Sequence, residues 1–242
     1  MAIYGYSERG IINSIVFSIG DNVQLMTDFI SSMNIPTLFE NKTPIGYDIL
    51  LEQSFSRFGS ADLVIIIKYD QDPKHNKVLF IEGKVKTSQK TYWNLESQYE
   101  EFEKRNPKKS SNLFFQLHLK KLLFINAKEI NTALKVKKEL IIKEEWYRTK
   151  RKIGENTIVE KAFDMINCSQ AFYIGIIPSG VNDIDAFFEK NKKSDNYPIV
   201  KHIHLVSWHT VQDFCELETY KSYFANVKLN FEYNEGQIFN NK

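Results

Sequence analysis

The sequence predicts a mixed α/β protein, a central sheet flanked by helices. Three observations carry that prediction. Segments 61–69 (ADLVIIIKY) and 77–87 (KVLFIEGKVKT) are apolar on both faces and rich in β-branched residues, as strands buried inside a sheet are. Apolar residues recur at helical spacing before and after them, over 8–19 and 112–128. Strand-like and helix-like stretches then alternate along the chain, which is the pattern of a layered α/β fold. With 242 residues, 43% of them hydrophobic, the chain can bury about 70–75% of its unfolded surface without a disulfide framework or structural metal. It is read as a single domain over 1–242.

The elements follow in order. Ser7 is placed to N-cap a helix over 8–19, with Ile11, Ile12, Ile15, Val16 and Ile19 on one face. Gly20-Asp21-Asn22 breaks it. A second helix covers 23–33, and Pro36 and Pro44 mark a loop. Residues 47–53 form a first strand. The 61–69 strand is central. Asp, Pro and Asn in 70–76 make the turn of an antiparallel hairpin whose return is 77–87. Helices are expected over 94–104, stopped by Asn106-Pro107, and over 112–128. Strands at 171–177 and 202–208 enclose a helical stretch around 183–193. The final 60 or so residues give no further signal.

Composition and charge narrow the function classes. There is no run near 18 apolar residues, hence no transmembrane helix, and the N-terminus does not read as a secretory leader. Two cysteines, Cys168 and Cys215, suit a reducing, cytoplasmic setting. No glycine-rich phosphate loop indicates ATP use. The net charge of +2 conceals segregation: 104–152 carries 15 Lys+Arg against 4 Asp+Glu, net +11, and the remainder is −9. Such a stretch can bind phosphates by counterion release, or can simply be a solvated helical face. Its densest part, Arg148, Lys150, Arg151 and Lys152 beside Trp146 and Tyr147, interleaves cations with aromatics, as nucleic-acid binding favours.

The chemistry-bearing residues sit on the hairpin. Side chains two apart on a strand share a face, so Val78, Phe80, Glu82, Lys84 and Lys86 line one side, which turns from apolar to charged midway. Asp62, 20 residues before Glu82, is in the right place for the hairpin to bring both carboxylates together. Adjacent carboxylates repel unless a cation lies between them, and Mg²⁺ prefers such hard oxygen donors with several retained waters. Lys84 would point into the same cleft, where an ammonium can act on a water or on phosphate charge. Gly83 leaves the opposite face open to close helix packing. The plainer alternative is a surface hairpin decorated with Glu and Lys. The long apolar run on both faces argues against it.

The strand SADLVIII, the turn, and VLFIEGKVK resemble the PD-(D/E)XK, or restriction-endonuclease-like, nuclease superfamily. Ala61 stands where many members have proline. The resemblance implies an αβββαβ core, over about 7–180, with 181–242 as a branch-specific elaboration. It implies Asp62 and Glu82 as ligands of Mg²⁺ (Mn²⁺ as substitute), the Gly83 carbonyl as a third ligand, and Lys84 as the catalytic lysine. Glu8 matches a glutamate that many members carry on the first helix, although an acid in a first turn is also favoured by the helix dipole alone. Gln116 fits a glutamine found on the helix after the E-x-K strand, with Lys120 one turn later; Gln98 is a rival, and Gln116 could equally fill a polar gap beside the sheet. The activity implied is a metal-dependent deoxyribonuclease of restriction type, acting on DNA and commonly dimeric. Lys108, Lys109, Lys120, Arg148, Lys150, Arg151 and Lys152 are the expected phosphate contacts. The alternative is a catalytically silent nucleic-acid-binding or protein-interaction module. His202, His204 and His209 lack a fourth ligand for zinc and read as strand histidines; His118 reads as core or cleft lining, and Phe114, Phe115 and Phe124 as core.

Overall fold

The computed structural model describes residues 1–40, 42–86, 92–104, 111–135, 157–195 and 197–239. It is a mixed five-stranded sheet with helices on both faces. Helices α1 (Ser7–Ile19) and α2 (Val23–Ser32) precede an antiparallel meander of β1 (Gly46–Ser54), β2 (Ser60–Lys68) and β3 (Lys77–Gly83). Next come α3 (Leu95–Glu103), α4 (Leu113–Ile125), α5 (Ala127–Lys135) and α6 (Thr157–Met165). Strand β4 (Gln170–Ile177) joins β3 in parallel. After α7 (Val181–Asn191) and the short α8 (Tyr197–Val200), β5 (Ile203–Ser207) pairs parallel to β4, and α9 (Trp208–Glu216) and α10 (Ala225–Ile238) close the chain. Strand order is β1-β2-β3-β4-β5.

Alternation along the strands splits the core in two. Leu63, Ile65, Ile67, Leu79, Ile81, Ile174 and Ile176 face α1, α2, α9 and α10. Val64, Ile66, Val78, Phe80, Tyr173 and Ile177 face α3, α4, α6 and α7. Every residue of β2 from Ala61 to Ile67 is buried, so the strand is apolar on both faces because both faces are covered.

Several expected elements differ in detail. Ser7 does not cap α1 from outside: it is the first helical residue, with φ 66°, and Tyr6 is the N-cap without a side-chain bond. The entry to α1 is instead held from outside by α10. Asn230 Oδ1 accepts from Gly5 N (2.6 Å) and Asn234 Oδ1 from Ser7 N (2.7 Å), while their amides donate to Ile3 O and Gly5 O, both at 2.9 Å. Two buried amides one turn apart thus receive the incoming chain as a neighbouring strand would. The chain also crosses α1 backbone to backbone at Gly5 and Gly10, where an added Cβ on Gly10 would lie 2.1 Å from the Gly5 carbonyl carbon. Strand β3 ends at Gly83 rather than at 87, because the Asp62 side chain takes the Gly83 N–H (2.9 Å). Thr87 lies outside the described residues. The 112–128 helix breaks at Asn126 into α4 and α5.

Candidate active site

The site lies where β2 begins and β3 ends. The β2–β3 register pairs Leu63 with Ile81, and one further step sets Asp62 opposite Glu82. Both are buried, at 7% and 1% exposure. Their surroundings differ. Asp62 accepts from Gly83 N and pairs with Arg9, Nε to Oδ1 at 3.3 Å. Arg9 also reaches Glu52 at 3.4 Å.

Glu82 faces α4. Lys120 Nζ, itself fully buried, lies 3.6 Å from Glu82 Oε1, which is ion-pair range but beyond a hydrogen bond. That oxygen has no hydrogen-bond partner among the described residues. Lys120 donates instead to Phe58 O at 2.9 Å. Burial raises the Glu82 pKa to about 7; the Asp62 charge adds to the rise and Lys120 opposes it. Burial likewise lowers the Lys120 pKa, against the pull of Glu82.

Lys84 points to the same face as Glu82, and its ammonium is hydrogen-bonded to Gln116 Oε1. The match has a simple metric. Residues i and i+2 on a strand are about 6.6–7 Å apart, and residues i and i+4 on a helix about 6 Å along the axis. So Gln116 and Lys120 on α4 meet Lys84, just past the end of β3, and Glu82 on it in pairs. The Lys84 backbone is fixed as well, its N–H donating to Ile176 O and its carbonyl accepting from Trp208 Nε1, both at 2.8 Å.

Glu8 reaches the site from the opposite face, over Gly83. A Cβ at Gly83 would lie 2.7 Å from Glu8 Cβ and 3.0 Å from its Cγ, so only glycine admits this approach. Glu8 is half-buried, its carboxylate bonded to the Ser7 hydroxyl, and burial raises its pKa, with the Asp62 charge contributing to the rise.

The structure therefore brings together Asp62, Glu82, Gly83, Lys84, Glu8 and Gln116. Gln98 is elsewhere: its side chain accepts from Leu113 N (3.0 Å) and its carbonyl from Asn112, at the start of α4. Lys120 requires a correction. Expected as a phosphate contact, it is inaccessible and serves as the counter-charge to Glu82, because its helical face points at the sheet. Lys108, Lys109, Arg148, Lys150, Arg151 and Lys152 lie outside the described residues. Sequence reasoning missed Arg9, whose only signal was its adjacency to Glu8, and missed Asn230 and Asn234 altogether. Of the histidines, His204 Nε2 meets Met33 O at 2.7 Å and His209 stacks on Phe239. His118 packs edge-on against Phe102.

Among the described residues no group of three or more His, Cys, Asp and Glu side chains closes to metal-binding range. Mg²⁺ does not demand one, since it binds through one or two carboxylates and keeps several waters. Two facing carboxylates, one with an orphaned buried oxygen, fit that habit. Comparison of the chain with family models, with curated proteins and with solved structures finds no match.

Proposed function

We propose that the protein is a divalent-metal-dependent nuclease of the PD-(D/E)XK type, hydrolysing DNA phosphodiester bonds. The observation that supports this most is the buried pairing of Asp62 and Glu82 where the interior strands β2 and β3 meet the end of the sheet, with the Lys84 ammonium on the Glu82 side. With α2 inserted before β1 and α3, α5 and α6 flanking α4, the order is compatible with an αβββαβ core. Asp62, Glu82 and the Gly83 carbonyl would hold Mg²⁺ or Mn²⁺, which when bound supplies Lewis acidity toward phosphate and lowers the pKa of a coordinated water.

The chain's own residues have separate tasks. Lys84 faces the scissile phosphate, where its ammonium offsets charge on the phosphoryl oxygens and orients the attacking water. Gln116 holds that ammonium in place. Glu8 contributes a third acid, directly or through water. The basic 104–152 stretch grips backbone phosphates and so sets affinity without reading sequence. A restriction-type endonuclease acting as a homodimer is the leading subclass.

The test is supercoiled plasmid incubated with Mg²⁺, Mn²⁺ or EDTA. Divalent-dependent nicking is expected, reduced at least about 100-fold in Lys84→Ala while the melting temperature stays unchanged. One observation favours a catalytically silent binding module instead: Lys120 already supplies Glu82 with a cation. Salt-sensitive DNA binding without cutting in either metal, on plasmid and on branched, single-stranded and RNA substrates, would establish that alternative.

A further inference from the structure

The same end of the sheet carries a second feature, since β4 runs parallel to β3. A cavity of about 360 Å³ opens between α3 and α7, walled by Tyr92 and Trp93, with Glu96, Ser179, Asp183 and Lys190 among its lining. It belongs to the same layer as α4, the layer that Glu82 and Lys84 face. Its distance from the carboxylates is short. Ile176 pairs with Gly83 and accepts the Lys84 N–H, and Ser179 is three residues further on, so the step across the sheet and the span along β4 put Ser179 within about 16 Å of Gly83. That is at most the length of about five stacked nucleotides of one strand.

The lining discriminates between ligand parts. Glu96 and Asp183 are anionic, and the one lysine is taken up by an ion pair with Glu96 at 3.1 Å. A phosphate would be repelled. A planar group with N–H donors is suited on both counts: aromatic walls accept its face, and carboxylates accept its amino hydrogens. Among the described residues Asp183 Oδ2 receives a long bond from Gly180 N (3.3 Å), and a carboxylate has about four acceptor positions.

We propose that this cavity is a nucleobase subsite, taking one unpaired, amino-bearing base (adenine, cytosine or guanine) from a strand whose backbone crosses the Asp62–Glu82 pair. The proposal rests on the nuclease reading and narrows it: the preferred substrate has an unpaired nucleotide within about five positions of the scissile bond.

Fluorescein-labelled oligo-dC and oligo-dT are titrated with the full chain in EDTA, and cleavage in Mg²⁺ is compared for a perfect duplex and the same duplex with a bulged cytosine. Oligo-dC is expected to bind more tightly than oligo-dT. Trp93→Ala should weaken oligo-dC binding about tenfold and Trp93→Phe should recover most of it. Asp183→Asn should abolish the preference for dC over dT. Equal binding of dC and dT, or binding indifferent to Trp93, or no binding at all, overturns the subsite. Metal-dependent plasmid cutting alongside such a result leaves the nuclease standing without it. Trp93-dependent dC binding with no cutting of any substrate does the reverse: the subsite stands and the nuclease falls.

Discussion

The two helical layers meet at one end of the central strands and hold it by different physics. On the α4 side the fixing groups are ionic and out of water: Lys120 against Glu82, both essentially unexposed. On the α1 side they are neutral amides acting on backbone, Asn230 and Asn234 around Ile3, Gly5 and Ser7, with the half-exposed Arg9 in ion-pair contact with Asp62. A buried charge tolerates no loss of its partner. An amide clamp on a chain terminus can be released while the sheet persists. The α4 layer is therefore expected to govern whether the protein folds, and the α1 layer to govern where Glu8 sits.

The most severe break in this contrast is Lys120→Met. It leaves Glu82 buried without a counter-charge and should cost about 3–5 kcal/mol in denaturant unfolding, whereas the double variant Lys120→Met/Glu82→Gln should regain most of that. A single variant as stable as wild type would show that Lys120 is not what makes Glu82 tolerable there.

The α1 side should respond more mildly. Asn234→Ala removes an acceptor from Ser7 N and a donor from Gly5 O, and should cost about 1–3 kcal/mol. The distinctive readout is local: limited proteolysis should cut ahead of α1 before the sheet melts, and cleavage activity should fall more than the loss of stability explains. Gly83→Ala tests the same region from the strand, since its Cβ would press on Glu8 and Ile12. It should move α1 and depress activity at a cost of about 1–3 kcal/mol.

How far these regions were legible in the sequence follows the same division. The β2–β3 hairpin was readable because strand alternation is a short-range pattern, and it fixes Asp62 opposite Glu82 once the turn is known. Gln116 and Lys120 were visible on one helical face, but which way that face turned was not. Whether a lysine meets solvent or a buried glutamate depends on how the helix docks. The contribution of α10 was hidden for another reason. Its inward positions, Val227, Asn230, Phe231, Asn234 and Ile238, keep helical spacing, but two of the five are asparagine, so the apolar stripe is interrupted where the helix binds backbone instead of side chains. The sequence predicts neither α6 nor α10, and it extends β5 to Trp208, which instead begins α9.

The acid–base behaviour of the metal-free protein sharpens the comparison from the α4 side. Glu82 has a pKa raised from 4.5 to about 7 by burial, so the folded state holds its proton more tightly than the unfolded chain does. The stability this confers is complete below about pH 4.5 and is lost as pH rises through about 7. In EDTA, the melting temperature of wild type should therefore decline over that interval relative to Glu82→Gln, which has no proton to lose. Parallel curves for the two proteins would show that Glu82 enters the fold already ionised beside Lys120.

The smallest effect on the fold is expected at Arg9, and it separates the two counter-charges. Arg9 and Lys120 each neutralise one of the facing carboxylates, but the Arg9 guanidinium is 53% exposed and keeps its own solvation, and buried Asp62 retains the Gly83 N–H when Arg9 is lost. Arg9→Met should change stability by less than about 1 kcal/mol. Its effect on cation binding should be clearer. The guanidinium occupies one Asp62 oxygen and repels a divalent ion, so its removal should tighten Mn²⁺ binding several-fold by calorimetric titration. Weaker binding in Arg9→Met would mean that Arg9 orders the Asp62 carboxylate for the metal. The α1 layer would then contribute electrostatic order as the α4 layer does, and the division between an ionic and a neutral side of the site would fail.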